Sequence, residues 1–253
     1  MCGIAGIIGH ARSEEITSIL QSLEIRGHHA TGVAFNAPAS KIVKAGIDAA
    51  TFVRDETFRN AIDECVENST VFMLHTRHAT HGSPEHNDNN HPIFSDKGII
   101  IHNGIVNVET VYDDAKGDTD TEQLLLAMDQ YGIEDGIKKA SGSFSIAYQR
   151  FNAPHLVWLY NHVSPLEIAI RDGKIYFCST RQILFSALGS NDWEFYNTKR
   201  ETVYQVDAHT MEVYDKGEVK PVLYHYPQRY GNGIYATQRF WNDNFEAEQE
   251  GWL

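Results

Sequence analysis

The sequence predicts an α+β fold in which sheets pack face to face with helices outside them, and it argues against a doubly wound parallel sheet. Two observations carry this: segments with strand character outnumber those with helical periodicity, and the helical segments fall into two groups. The chain opens with a short apolar strand, Gly3 to Ile8. A capped amphipathic helix follows from Ser13 to Glu24, with Ile16, Ile19, Leu20 and Leu23 on one face. Thr31 to Phe35 and Lys41 to Lys44 read as strands, and Thr51 to Val66 as one helix with Phe58, Ala61, Ile62, Cys65 and Val66 in a stripe. Val71 to Leu74 and Gly98 to Ile101 are apolar runs of interior-strand length, each followed by a histidine, His75 and His102. Thr119-Asp120-Thr121-Glu122 has the form of a capping box and opens a helix carrying Leu124, Leu125 and Met128. Strands are expected at Ser143–Gln149, His155–Tyr160, Leu166–Ile170 and Lys174–Cys178. A helix over Arg181–Leu188 separates these from Thr202–Asp207 and Met211–Tyr214.

Composition bounds the function. With 253 residues and 42% hydrophobic content, the chain can bury a sizeable core. One domain is expected over 1–220. The aromatic, acidic extension 221–253 is expected to wrap that domain or to dock a partner. A formal charge of −13 with no basic cluster excludes nucleic acid as a partner. No signal peptide or membrane-spanning run is present, so a cytoplasmic protein is expected, without a membrane partner. Three widely spaced cysteines fit neither a disulfide framework nor a zinc site. His81, His86 and His91 lie five apart and match no standard ligand spacing, so neither metal nor cofactor is expected.

Cys2 is the residue with the sharpest chemistry. Removal of Met1 would leave a thiol and a free α-amine on one residue, and an α-amine of pKa about 7.7–8.0 can take the thiol proton near neutral pH. Position alone does not separate this from an incidental terminal cysteine. Cys65 and Cys178 fall on apolar faces and read as small core residues. The island His75 to Gly82 reads as a polar loop after a strand. Within it Arg77 offers a planar fork for a carboxylate, though an arginine there is also compatible with simple solvation. Asn103-Gly104 could place a side-chain amide and a backbone N–H on one oxyanion; it could equally be an ordinary Asn-Gly turn. Asp120, in a first helical turn, stabilises the helix dipole whether or not it binds a ligand.

Together these islands resemble the glutaminase domain of class II glutamine amidotransferases, an N-terminal-nucleophile hydrolase family, nearest to that of glucosamine 6-phosphate synthases. The resemblance runs in order over roughly residues 1–190. It rests on Cys2-Gly3-Ile4, Leu23-Glu24 with Arg26-Gly27 and Gly32, and His75-Thr76-Arg77 with Ala79-Thr80-His81-Gly82. Asn90-His91-Pro92, His102-Asn103-Gly104-Ile105 and Thr119-Asp120-Thr121-Glu122 complete it. It implies a four-layer αββα sandwich of two mainly antiparallel sheets. It also implies hydrolysis of the glutamine side-chain amide through a Cys2 thioester, with Asn103 and Gly104 holding the oxyanion. Arg77 would bind the substrate carboxylate and Asp120 its ammonium, Thr80 and His81 would line the pocket, and Arg26 would belong to the same substrate-binding set. The ammonia would pass to a separate synthase, since nothing after about residue 220 has the length of an acceptor domain. Two other readings remain open on the residues: an N-terminal-cysteine hydrolase of another amide, and a non-catalytic glutamine-binding relative. The chain departs from the family at Arg26-Gly27-His28-His29-Ala30, where Arg-Gly-x-Asp-Ser is usual, and at His78, where the nearest relatives carry tryptophan.

Overall fold

A computed structural model describes residues 1–222 except Pro38 and His81, so the aromatic extension lies almost wholly outside the described residues. In chain order the elements begin β1 (Gly3–Ile8), α1 (Ser13–Leu23), β2 (Ala30–Phe35), β3 (Lys41–Ala45), α2 (Ala49–Phe52), α3 (Glu56–Cys65) and β4 (Val71–Arg77). Next come β5 (Ile93–Phe94), β6 (Gly98–Val108), α4 (Asp120–Tyr131), α5 (Ile133–Lys138), β7 (Ala140–Arg150) and β8 (Ala153–His162). The described chain ends with β9 (Glu167–Arg171), β10 (Lys174–Cys178), α6 (Arg181–Leu188), β11 (Glu194–Phe195), β12 (Thr202–Asp207) and β13 (Glu212–Glu218).

Among the described residues these strands form two sheets, a seven-stranded one ordered β11-β9-β10-β1-β4-β2-β3 and a six-stranded one ordered β13-β12-β8-β7-β6-β5. Strand alternation sorts their side chains into three packed layers. Ala5, Ile7, Phe72 and Leu74 point outward against Ile16, Ile19, Leu20 and Leu23 of α1 and Ile183 and Leu184 of α6. Ile4 and Ile8 of β1, Val71 and Met73 of β4, and Ile99 and Ile101 of β6 point inward and fill the space between the sheets. Ile100, Ile146 and Tyr148 face the other way, onto Leu124, Leu125 and Met128 of α4 and Ile137 of α5. Helices, sheet, sheet, helices: the expected four-layer sandwich is the observed one.

Several local expectations are corrected. The stripe over Thr51–Val66 is cut into two helices, because the Asp48 and Asp55 side chains each accept a backbone N–H and start a new one. At Thr119–Glu122 the helix begins as expected but no capping box forms. The Glu122 carboxylate instead accepts the Lys116 and Gly117 amides at 2.8 Å, tying down the preceding loop. His75-Thr76-Arg77 is the end of β4, not a loop, and His102-Asn103-Gly104 lies in the middle of β6, not at a strand end or turn. Gly104 makes that possible. Its φ of +127° is costly for any other residue, and a Cβ there would lie 2.0 Å from the Ser143 carbonyl oxygen. Among the described residues no helix is long and apolar enough to cross a membrane.

Candidate active site

The parity of the strands decides what meets at the inter-sheet end. Cys2 shares the inward face of Ile4 and Ile8, and His75 and Arg77 share that of Val71 and Met73. Asn103 shares the face of Ile99 and Ile101 on the opposite sheet. A small pocket, open at its mouth, is lined by residues that include Cys2, Arg77, Thr80, Gly104 and Asp120.

Cys2 is half-buried, with its thiol donating to the His78 carbonyl oxygen at 3.7 Å. Burial pushes the thiol pKa up, against the opposing pull of the terminal ammonium and Arg77. Met1 is 59% exposed, and Arg26 fixes the backbone behind the thiol: its Nε donates to the Cys2 carbonyl at 2.9 Å. Arg26 therefore holds the Cys2 main chain. Arg77 is buried and donates to Asn90 Oδ1 at 3.0 Å and to the Gly82 carbonyl at 2.9 Å; burial lowers its pKa from a value high enough to leave it charged. Asp120 Oδ2 accepts the Val106 amide at 2.9 Å, which anchors the head of α4 to β6. Gly104 lines the pocket, and Asn103 beside it is fully buried with neither side-chain oxygen nor nitrogen paired in the protein. His81 lies outside the described residues.

Beside the pocket is a group that the sequence did not disclose. His75, His91 and His102 are all buried, so His91 is not the solvated loop histidine its context suggested. His75 Nε2 donates to the His102 carbonyl at 3.0 Å and its ring stacks on His91 at 4.1 Å. The Thr121 hydroxyl meets His102 Nδ1 at 2.8 Å and His91 Nε2 at 3.0 Å. Gly32 admits this packing, since a Cβ there would lie 2.1 Å from the His91 carbonyl oxygen. Burial drives all three imidazoles toward the neutral form, His75 to a pKa of about 3 and His91 well below its ordinary value. Thr121→Val should orphan two ring nitrogens at about 1–3 kcal/mol each, while Thr121→Ser keeps both bonds. Urea midpoints of the two variants check this; equal midpoints would show that the hydroxyl holds nothing.

The two departures at the mouth face each other. His29 stacks on His78 at 5.0 Å between centroids, and its Nδ1 accepts the Ala79 N–H at 2.9 Å. A ring at 29 thus supports the loop that a ring at 78 caps, a pairing invisible while the two positions are read separately.

The fold has clear counterparts. The structure of glutamine phosphoribosylpyrophosphate amidotransferase from B. subtilis, complexed with ADP and GMP, superposes with a TM-score of 0.64 at 17% identity, over 85% of this chain and 49% of that one. The structure described as the allosteric regulatory enzyme of purine biosynthesis superposes with a TM-score of 0.65 at 14% identity, again over 85% and 49%. This is the architecture of N-terminal-nucleophile amidotransferases.

Sequence relatives narrow the class. Glutamine–fructose-6-phosphate aminotransferase of Shouchella clausii is 34% identical over 191 residues, 67% of this chain and 30% of the relative. That of Lactococcus lactis is 31% identical over 201 residues, 71% and 32%. No family model matches. The chain belongs to the class II glutamine amidotransferases. It spans about a third of the length of the curated relatives it matches.

Proposed function

We propose that this domain hydrolyses the side-chain amide of glutamine to glutamate and ammonia through a thioester on Cys2. The observation that carries the reading is the convergence of Cys2, Arg77, Gly104 and Asp120 on one small pocket, a nucleophile between groups suited to the two charged ends of an amino acid. After Met1 is removed, the Cys2 α-amine takes the Sγ proton, and the thiolate attacks the amide carbon. The tetrahedral oxyanion is received by the Asn103 amide and the Gly104 N–H. As the C–N bond breaks, the α-ammonium returns its proton to the leaving nitrogen, and ammonia departs. The amine then deprotonates water, which attacks the thioester and releases glutamate and the thiol. Arg77 holds the substrate carboxylate bidentately and Asp120 its ammonium, with Thr80 and His81 along the glutamine chain. Arg26 keeps the Cys2 main chain in place. The ammonia is consumed by a synthase module beyond the described domain, a separate subunit in the reading we favour.

Intact mass before and after treatment with a chloroketone analogue of glutamine tests this directly. Loss of Met1 followed by one adduct, blocked by excess glutamine and absent from Cys2→Ala, is the expected result. A trimmed Cys2 that takes no adduct would leave the domain a binding module at most.

A further inference from the structure

His155, Asp207 and His209 form a second cluster, at the other end of the sandwich. Phe144, which pairs with Gly104 beside the pocket, also pairs with His162 at the far end of β8, whereas His155 lies near the start of that strand. Asp207 pairs with Leu156, so the β12–β13 turn folds down beside His155. The Ala208 N–H donates to the His155 carbonyl at 2.9 Å and closes the ladder there. The Met211 N–H returns to the Asp207 carbonyl at 2.8 Å, with Met211 at a φ of +57°. These bonds hold the turn in one shape.

Within that shape the two imidazoles lie face to face, with centroids 4.2 Å apart and planes 4° from parallel. One ligand atom from each ring and one carboxylate oxygen all lie within 4.8 Å of one another. Asp207 Oδ1 accepts the His209 N–H at 2.8 Å, which orients the carboxylate and leaves Oδ2 available. His155 and Asp207 are half-buried and His209 is exposed, so water can reach the remaining coordination positions. Two ligands stand on strands and the third on a pinned turn, and the torsion that turns an imidazole about its Cβ–Cγ bond is soft. An ion bound here would turn each ring out of the stack, a motion this torsion permits.

We propose that His155, Asp207 and His209 bind one divalent transition-metal ion, of the zinc class, that clamps the start of β8 to the β12–β13 turn. Two imidazoles and a carboxylate are the donor set such ions take, with water completing the sphere. Hard oxygen-seeking ions such as magnesium and calcium do not suit it. The site is remote from Cys2 and plays no part in the amide chemistry proposed above, so it stands or falls separately from that reading.

The test is equilibrium dialysis of the chelator-stripped full chain against Zn(II), with metal content measured by mass spectrometry. The same titration is run on Cys2→Ala, so that thiolate binding is not counted. About one equivalent is expected to remain bound in Cys2→Ala, and His209→Ala should weaken it by more than roughly tenfold, as losing one of three protein ligands requires. Asp207→Asn should weaken it in the same direction. Zinc should raise the thermal midpoint of the parent and not of His209→Ala. Because His209 is exposed on a turn, its replacement should leave the metal-free midpoint and glutamine turnover unchanged. Failure to retain zinc, or retention of equal affinity in His209→Ala, would overturn the proposal, the second by placing the ion on other histidines.

Discussion

Asn103→Ala is expected to slow glutamine turnover by about 10²–10³, the usual cost of losing one oxyanion donor, without lowering KM-level binding or stability to match. The unusual feature of Asn103 is its isolation. It is fully buried in the middle of β6, yet neither end of its amide is paired in the folded protein. An unpaired buried polar group costs about 1–3 kcal/mol, so the fold gains nothing from an amide at this position. Alanine removes that cost and leaves a small void, and the two effects oppose each other. The thermal midpoint should therefore move by only a few degrees while kcat collapses. A loss confined to kcat marks a contact made in the transition state, and a matching rise in KM would mark ground-state binding. A kcat within about tenfold of the parent would remove Asn103 from the oxyanion role.

Much of the fold was legible because burial leaves a period in the sequence. Ile16, Ile19, Leu20 and Leu23 recur at helical spacing and are all buried under the seven-stranded sheet. The apolar run Gly3 to Ile8 became a central strand with the expected bounds. Periodicity failed where a single polar side chain decides, as at Asp55, whose carboxylate caps a new helix inside what reads as one continuous stripe. It failed also for polar residues inside strands. His75, Arg77 and Asn103 interrupt apolar runs and so read as strand ends, but they are buried strand residues turned inward. The pocket residues were legible as separate islands, since Cys2, Arg77, Thr80, Gly104 and Asp120 each carry a group with a chemical use. Their mutual distances were not. The same holds for the facing rings of His29 and His78, and for the junction at Thr121, which reads from sequence as part of a capping box. Side chains that meet across distant strands, helices and loops leave no local trace.

The buried histidines carry the second large effect: the domain should lose at least about 2 kcal/mol of stability between pH 8 and pH 5. An unfolded histidine titrates near pH 6.5, whereas burial holds His75 to a pKa of about 3 and His91 well below its ordinary value. Below pH 6.5 the unfolded chain takes up protons that the folded chain refuses, so stability falls as pH falls. His75 costs about 2 kcal/mol by pH 5, and His91 adds in the same direction. His102, lowered by burial against the pull of Asp120, adds in the same direction. Acidic groups with depressed pKa values act only nearer pH 4 and below, so they do not account for a loss in this window. For a domain of this size the expected fall in thermal midpoint is at least roughly 4–8 °C, readable by calorimetry across the pH series. His75→Gln should be less stable at pH 8 but should show a shallower decline, having one fewer proton to exclude. A midpoint that stays level from pH 8 to pH 5 would mean that these imidazoles are protonated or solvated in the folded protein. The neutral cluster beside Arg77 and Asp120 would then be wrong.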